Sequence, residues 1–134
     1  MKNHNNSKIG HIGELIAEKY LISKKHKILD KNFNLINNRT HKKIGEIDLI
    51  AKKGSVLVFV EVKSKIKNGG EGIPLEGKLN KNKKRRLIIV AESWLKKNKL
   101  PLTTARQIDI ITIIIDINNK KARIKHYENA LEEI

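Results

Sequence analysis

Residues 45–63 read Gly45-Glu46-Ile47-Asp48-Leu49-Ile50-Ala51, then Lys52-Lys53-Gly54-Ser55, then Val56-Leu57-Val58-Phe59-Val60-Glu61-Val62-Lys63. Two apolar, largely β-branched runs flank a short glycine-containing turn, which is the pattern of a β-hairpin. Set into the runs are Glu46, Asp48, Glu61 and Lys63. A charge within a buried strand is costly and is seldom kept there without a partner charge or a metal ion. The hairpin therefore carries information about both the fold and the chemistry.

Register sharpens this. If Ala51 pairs with Val56, Asp48 faces Phe59 and Glu46 faces Glu61. Opposed residues of an antiparallel pair share a face, so Glu46, Asp48, Glu61 and Lys63 emerge together while Val56, Val58, Val60 and Val62 fill the other side. Asp48 and Glu61 are then diagonal neighbours, roughly 7–8 Å apart along the backbone. That separation leaves room for a hard cation at about 2.0–2.6 Å from each oxygen. Clustered carboxylates without a cation repel one another and raise at least one pKa. Lys63, two residues from Glu61, is placed to hold an attacking water or to stabilise charge on a phosphate oxygen. A polar strand face with cross-strand Glu–Lys pairs is the plainer alternative.

Outside the hairpin the chain reads as follows. Ile9, Ile12, Ile16 and Tyr20, with Leu15, recur at helical spacing over 9–22, with Ser7 as the expected cap. Glu14 lies on the border of that stripe. Lys27–Ile36 reads as a first strand with room for a bulge, and 37–43 as a basic turn. Asn68–Pro74 is a glycine-rich loop. A second helix is expected over Lys78–Asn98, with Leu87, Ile88, Ala91, Trp94 and Leu95 as its buried stripe, ending at Leu100-Pro101. Arg106–Ile117 reads as a buried strand around Asp109, a structural residue expected to pair with Arg106 or a helix lysine. A turn at Asn118-Asn119 leads to a partner strand over Ala122–His126, and 128–134 reads as a last helical turn. The order α-β-β-β-α-β-β defines a single α/β domain over 9–134 with a mixed sheet of about five strands, after a flexible N-terminal segment over 1–8.

The chain has 134 residues with 29 Lys and Arg against 14 Asp and Glu, a net charge of +15. Such an excess points to a polyanionic partner, nucleic acid before an anionic membrane surface. The Lys/Asn/Ile-rich composition of an AT-rich genome is the competing explanation. The absence of cysteine excludes disulfides and thiolate zinc sites. No apolar run approaches the ~20 residues that span a bilayer, so a cytoplasmic, non-membrane protein is expected. Lys78, Lys81, Lys83, Lys84, Arg85 and Arg86 cluster at the start of the second helix. Cations there oppose the helix dipole, which favours a phosphate-binding role over a merely solvated run.

Asp48 followed by Glu61-Val62-Lys63 resembles the PD-(D/E)xK nuclease signature. More narrowly, the chain is similar to the YraN family of small bacterial proteins, related to archaeal Holliday junction resolvases. The resemblance rests on Gly13-Glu14 with Ala17 and Tyr20-Leu21, on residues 45–51 and 57–63, on Lys83, Arg86-Leu87 and Ala91, on Ile108-Asp109, and on the segment at His126 and Asn129-Ala130. It implies a restriction-endonuclease-like fold and a Mg²⁺- or Mn²⁺-dependent endonuclease acting on DNA, with branched or damaged DNA among its substrates. A catalytically silent nucleic-acid-binding module is the alternative. By the same resemblance Asp48 and Glu61 are metal ligands, joined by the Val62 carbonyl and by Glu14 from the first helix, with Lys63 as the catalytic lysine; the assumed register, which sets Glu46 opposite Glu61, makes Glu46 a rival or helper ligand. The proline of the signature is replaced by Ile47. Resolvase kinship also makes a homodimer an expectation.

Overall fold

The computed structural model describes residues 4–67 and 80–131. Its elements are α1 (His4–Ser23), β1 (Lys27–Ile36), β2 (Lys43–Lys53), β3 (Val56–Ile66), α2 (Lys81–Lys97), β4 (Arg106–Asp116) and β5 (Lys121–Tyr127). The expected order and fold class hold. Lys78 and the glycine-rich loop over 68–74 lie outside the described residues, as do residues 132–134 of the expected last helical turn; 128–131 form a turn.

The strands form one sheet in the order β1-β2-β3-β4-β5. Every neighbouring pair is antiparallel except β3 and β4, which run parallel. A parallel pair needs a crossover, and α2 lies within it, packed against β2 and β1. β1 carries the anticipated bulge, with a register shift between Ile28 and Asp30.

Two clusters sandwich the sheet. On one face Phe59, Leu57 and Ile50 meet Leu87, Val90, Ala91, Trp94 and Leu95 of α2. On the other, Val58, Val60, Ile111 and Ile113 meet Ala17 and Leu21 of α1. Two glycines set these distances. A Cβ at Gly13 would lie 2.5 Å from the Ser64 hydroxyl oxygen, and one at Gly45 would lie 2.8 Å from a Val90 methyl. Any side chain at Gly13 would push α1 off β3, and any at Gly45 would push α2 off β2.

The helices depart from the expected boundaries and stripes. α1 already begins at His4, so Ser7 lies inside it rather than capping it. Ile12 and Leu15, expected in its stripe, are more than two-fifths exposed. The helix is apolar on more than one side, and the sheet takes the side where Gly13 permits contact. α2 starts at Lys81 because the Asn80 side chain accepts a hydrogen bond from the Lys83 amide at 2.9 Å, a cap contributing about 1 kcal/mol. Its buried stripe includes Lys84 and Val90, while Ile88 is exposed. No described helix is long and apolar enough to cross a membrane.

Candidate active site

The hairpin closes through Gly54-Ser55, with Lys53 paired to Val56 and Ala51 to Val58. Gly54 has φ +61°, the left-handed region that a glycine-first two-residue turn requires. The register is thus displaced by two residues from the expected one, in which Ala51 met Val56. A displacement of two preserves which face each side chain takes, and Val58, Val60 and Val62 do pack on the α1 side. The ladder ends at Leu49–Val60. Glu46 therefore does not sit opposite Glu61; it pairs with Lys43 at 3.2 Å.

Beyond Leu49 the alternation along β2 breaks, because Ile47 and Ile50 both join the α2-side cluster. Asp48 sits at this break. Its Oδ2 accepts a hydrogen bond from the Val62 amide at 2.7 Å, so a carboxylate occupies the place of the next backbone pairing. The N–H and C=O of one strand residue point to the same side, which turns the Val62 carbonyl into the same gap. Glu14 reaches toward Asp48 from α1, near enough for the two carboxyls to share a proton.

On the α2 side the hairpin borders a cleft of about 310 Å³ lined by Lys43, Glu46, Glu61, Lys63, Lys83 and Arg86 above an apolar floor that includes Leu87 and Val90. The Lys63 ammonium stands 3.7 Å from Glu61 Oε1. The other Glu61 oxygen, Oε2, is buried and has no hydrogen-bond partner. Leaving a carboxylate oxygen unpaired away from water costs on the order of 1–3 kcal/mol or more.

The electrostatics follow from this crowding. Burial, opposed by the Val62 amide and reinforced by Glu14, Glu61 and Glu46, pushes the Asp48 carboxyl up to about 7. Burial also raises Glu14, with Glu46 adding to the effect, against the proton it can share with Asp48 and the charge of His11. Oxygen donors that are buried, mutually repelling and in part unpartnered suit a hard divalent cation. Asp48, Glu61, Glu14 and the Val62 carbonyl are the groups that would hold one. The three carboxylates are not drawn tightly together. Among the described residues the one set of three whose ligand atoms lie within 4.8 Å of one another is Asp109, His126 and Glu128, elsewhere in the sheet.

That second cluster is a satisfied network. Fully buried Asp109 accepts bonds at 2.7 Å from His126 Nε2, 2.9 Å from Gln107 Nε2 and 2.9 Å from the Asn129 amide. The Tyr20 hydroxyl lies 3.0 Å from His126 Nδ1, tying α1 to β5. Asp109 is structural, as expected, but neither Arg106 nor a helix lysine is its partner: Arg106 pairs with Glu92 at 3.5 Å. Reading the sequence missed this network because its members are far apart along the chain.

Of the basic residues at the start of α2, Lys83 and Arg86 reach the cleft, while Lys81 and Arg85 are exposed beside it. Lys84 is different. It is only 6% exposed, at the same helical spacing as Leu87 and Ala91, and its Nζ has no hydrogen-bond partner. Its place on the inward stripe removes it from the phosphate-facing group. Burial, with Lys81 nearby, lowers its pKa.

A single α/β domain with a five-stranded mixed sheet, whose central hairpin opens around part-buried carboxylates, is the class of protein these features define. The model of the family described as "Uncharacterised protein family UPF0102" matches residues 13–113, and the chain belongs to that family. Relatives carrying the UPF0102 name include one from Clostridium beijerinckii, 36% identical over 93% of this chain and 94% of its own length. Another, from Clostridioides difficile, is 40% identical over 94% of this chain and 98% of its own. A third, from Geobacter sulfurreducens, is 34% identical over 96% and 92%.

Proposed function

We propose that this chain is a divalent-cation-dependent endonuclease that hydrolyses phosphodiester bonds in DNA, with the nuclease superfamily and YraN-like kinship that its Asp48…Glu61-Val62-Lys63 motif suggests. The observation that carries the reading is the open end of the hairpin. There a part-buried Asp48 with a pKa near 7 adjoins Glu14, and beyond the Val62 amide an unpartnered Glu61 oxygen adjoins Lys63, both residues lining a cleft with Lys83 and Arg86.

Asp48, Glu61, Glu14 and the Val62 carbonyl would hold Mg²⁺ or Mn²⁺. Bound there, such an ion would supply Lewis-acid polarisation of a phosphate oxygen and activation of water. Lys63 donates a hydrogen bond to the phosphate or to the attacking water, stabilising the charge that develops as the P–O bond breaks. Lys83 and Arg86 bind the adjoining phosphates; the guanidinium's planar fork suits two phosphate oxygens at once. The chemistry is hydrolysis: water oxygen bonds to phosphorus, and the ester oxygen leaves with its electron pair and takes a proton.

A nucleic-acid-binding module without turnover is the second reading. It is favoured by the oxygens of Glu14, Asp48 and Glu61, which do not all come within 4.8 Å of one another. The two readings part on incubating the purified protein with labelled linear, flap and four-way-junction DNA in Mg²⁺, Mn²⁺ or EDTA, beside Asp48→Ala and Lys63→Ala. Metal-dependent cleavage that falls about 10²-fold or more in each variant is expected. Cleavage that survives both substitutions or EDTA removes the assignment. Binding without cleavage under either metal leaves the module.

A further inference from the structure

β3 runs parallel to β4, and β4 antiparallel to β5, in a register that lines up side chains in rows. Lys63 pairs with Thr112, which pairs with Lys125; Lys65 pairs with Ile114, which pairs with Arg123; and Asp116 pairs with Lys121 beside Lys67. Paired residues share a face. The face is the one opposite α1, because Ile111, Ile113 and Ile124 pack with α1 and His126 bonds Tyr20.

We propose that this face, carrying Lys63, Lys65, Lys67, Lys121, Arg123 and Lys125, binds the sugar-phosphate backbone of duplex nucleic acid and leads it to the Glu61–Lys63 cleft. The proposal rests on the nucleic-acid reading above and extends it to residues outside α2. The cations form two columns, on β3 and on β5, about 9–10 Å apart, with successive cations in each roughly 6.6 Å apart. Between them runs the buried column Ile110, Thr112 and Ile114. Among the described residues the face sets two carboxylates against these six cations, Glu61 and Asp116, each already beside a lysine at 3.7 Å. Lys65, Lys121, Arg123 and Lys125 have no ion-pair partner among the described residues, and the last three are exposed.

Like charges spaced closer than a Debye length of about 8 Å repel under physiological salt, and a polyanion relieves that repulsion. The columns begin at the cleft beside Glu61 and end at a recess of about 330 Å³ lined by Lys67, Asp116, Asn119, Lys121 and Arg123. Among the described residues the face offers one partly exposed aromatic ring, Tyr127, too few for the stacking platform that single strands use. Duplex backbone contacts are the fit.

The test measures binding of a fluorescein-labelled DNA duplex in EDTA across about 50–200 mM salt, for the wild type and for Lys65→Gln/Arg123→Gln/Lys125→Gln. The triple variant is expected to lose about 2–3 from the slope of log K against log salt and to bind more than about tenfold more weakly near 0.1 M salt. Its melting temperature should match the wild type's; should it melt early, Arg123→Gln alone, expected to lose about 0.9 of slope, decides the matter. An unchanged slope overturns the proposal, as does a wild type that fails to bind duplex at all. Preferential binding of single strands by the wild type also overturns it. Catalysis is scored separately in Mg²⁺. Binding lost in the triple variant by a protein that never cleaves upholds this surface and removes the nuclease reading. Cleavage that needs Lys63 while the triple variant binds normally does the reverse.

Discussion

Asp48 and Asp109 flank the same central strand. Asp48 bonds the Val62 amide from one side of β3, and Asp109 lies level with Val60 on the other. Asp109 is fully buried and Asp48 partly so, and burial alone raises the pKa of each. Asp109 receives His126, the Asn129 amide and Gln107, which together outweigh burial and hold it below the ordinary carboxylate range. Asp48 receives one amide and faces three other carboxylates, so it ends near 7. The fold thus spends donors on one aspartate and withholds them from its neighbour. A carboxylate supplied with donors fixes a structure. A carboxylate deprived of them is primed to take a proton or a cation.

The contrast breaks first at Asp109. Asp109→Ala strands three donors, two on side chains and one on the backbone, in the interior. It should cost about 3–5 kcal/mol, or roughly 10–20 °C in melting temperature for a domain of this size. Thermal unfolding by circular dichroism reads this directly, and a loss under a few degrees would mean that the network is dispensable.

The opposite sign is expected at Asp48. Its folded pKa is raised from 3.8 to about 7, so its contribution to stability is complete below pH ~4 and fades as pH climbs through 7. Without divalent cations the wild type should lose stability between about pH 4 and 8. Asp48→Asn, which cannot ionise, should show a flatter profile and melt higher than the wild type at pH 8, by about 1–3 kcal/mol. Equal melting curves at pH 5 and pH 8 for the wild type would contradict the crowding of this site.

The smallest effect tests the cation itself. At pH 8, Mg²⁺ at about ten times its dissociation constant should stabilise the wild type by roughly 1.4 kcal/mol and leave Asp48→Asn nearly unmoved. A similar rise in both would assign the ion to some other site, Asp109, His126 and Glu128 being the alternative.

The strand order was legible because period-two runs and glycine turns are local signals, and β1 and β4 begin at the residues the pattern indicates. The register was legible only to within two residues. Lys52-Lys53-Gly54-Ser55 can close as a two- or a four-residue loop, and the parity of faces survives either choice. Lys84 was hidden by its neighbours: six cations at 78–86 read as one exposed run, while helical geometry turns one of them inward. Ile12 and Leu15 were misread because a helix with apolar residues on several sides does not say which side the sheet will take. The Asp109 network was illegible for another reason. His126 and Asn129 lie 17 and 20 residues beyond Asp109, and only the β4–β5 pairing brings them to it.

The single parallel pairing has a kinetic consequence. Every β3–β4 partner lies 49 residues away along the chain, Leu57 with Arg106 being the first. The β2–β3 hairpin closes through two residues. Loop closure disfavours the distant contact, and non-local pairings form late. The hairpin should therefore assemble early, with its carboxylates still in water, and β4 should dock onto β3 afterwards, sealing the core. Pulsed hydrogen exchange during refolding should protect the Ala51 and Val58 amides, which bond to each other's strand, before those of Ile111 and Ile113, which bond to β3. Simultaneous protection would instead mark a single concerted step.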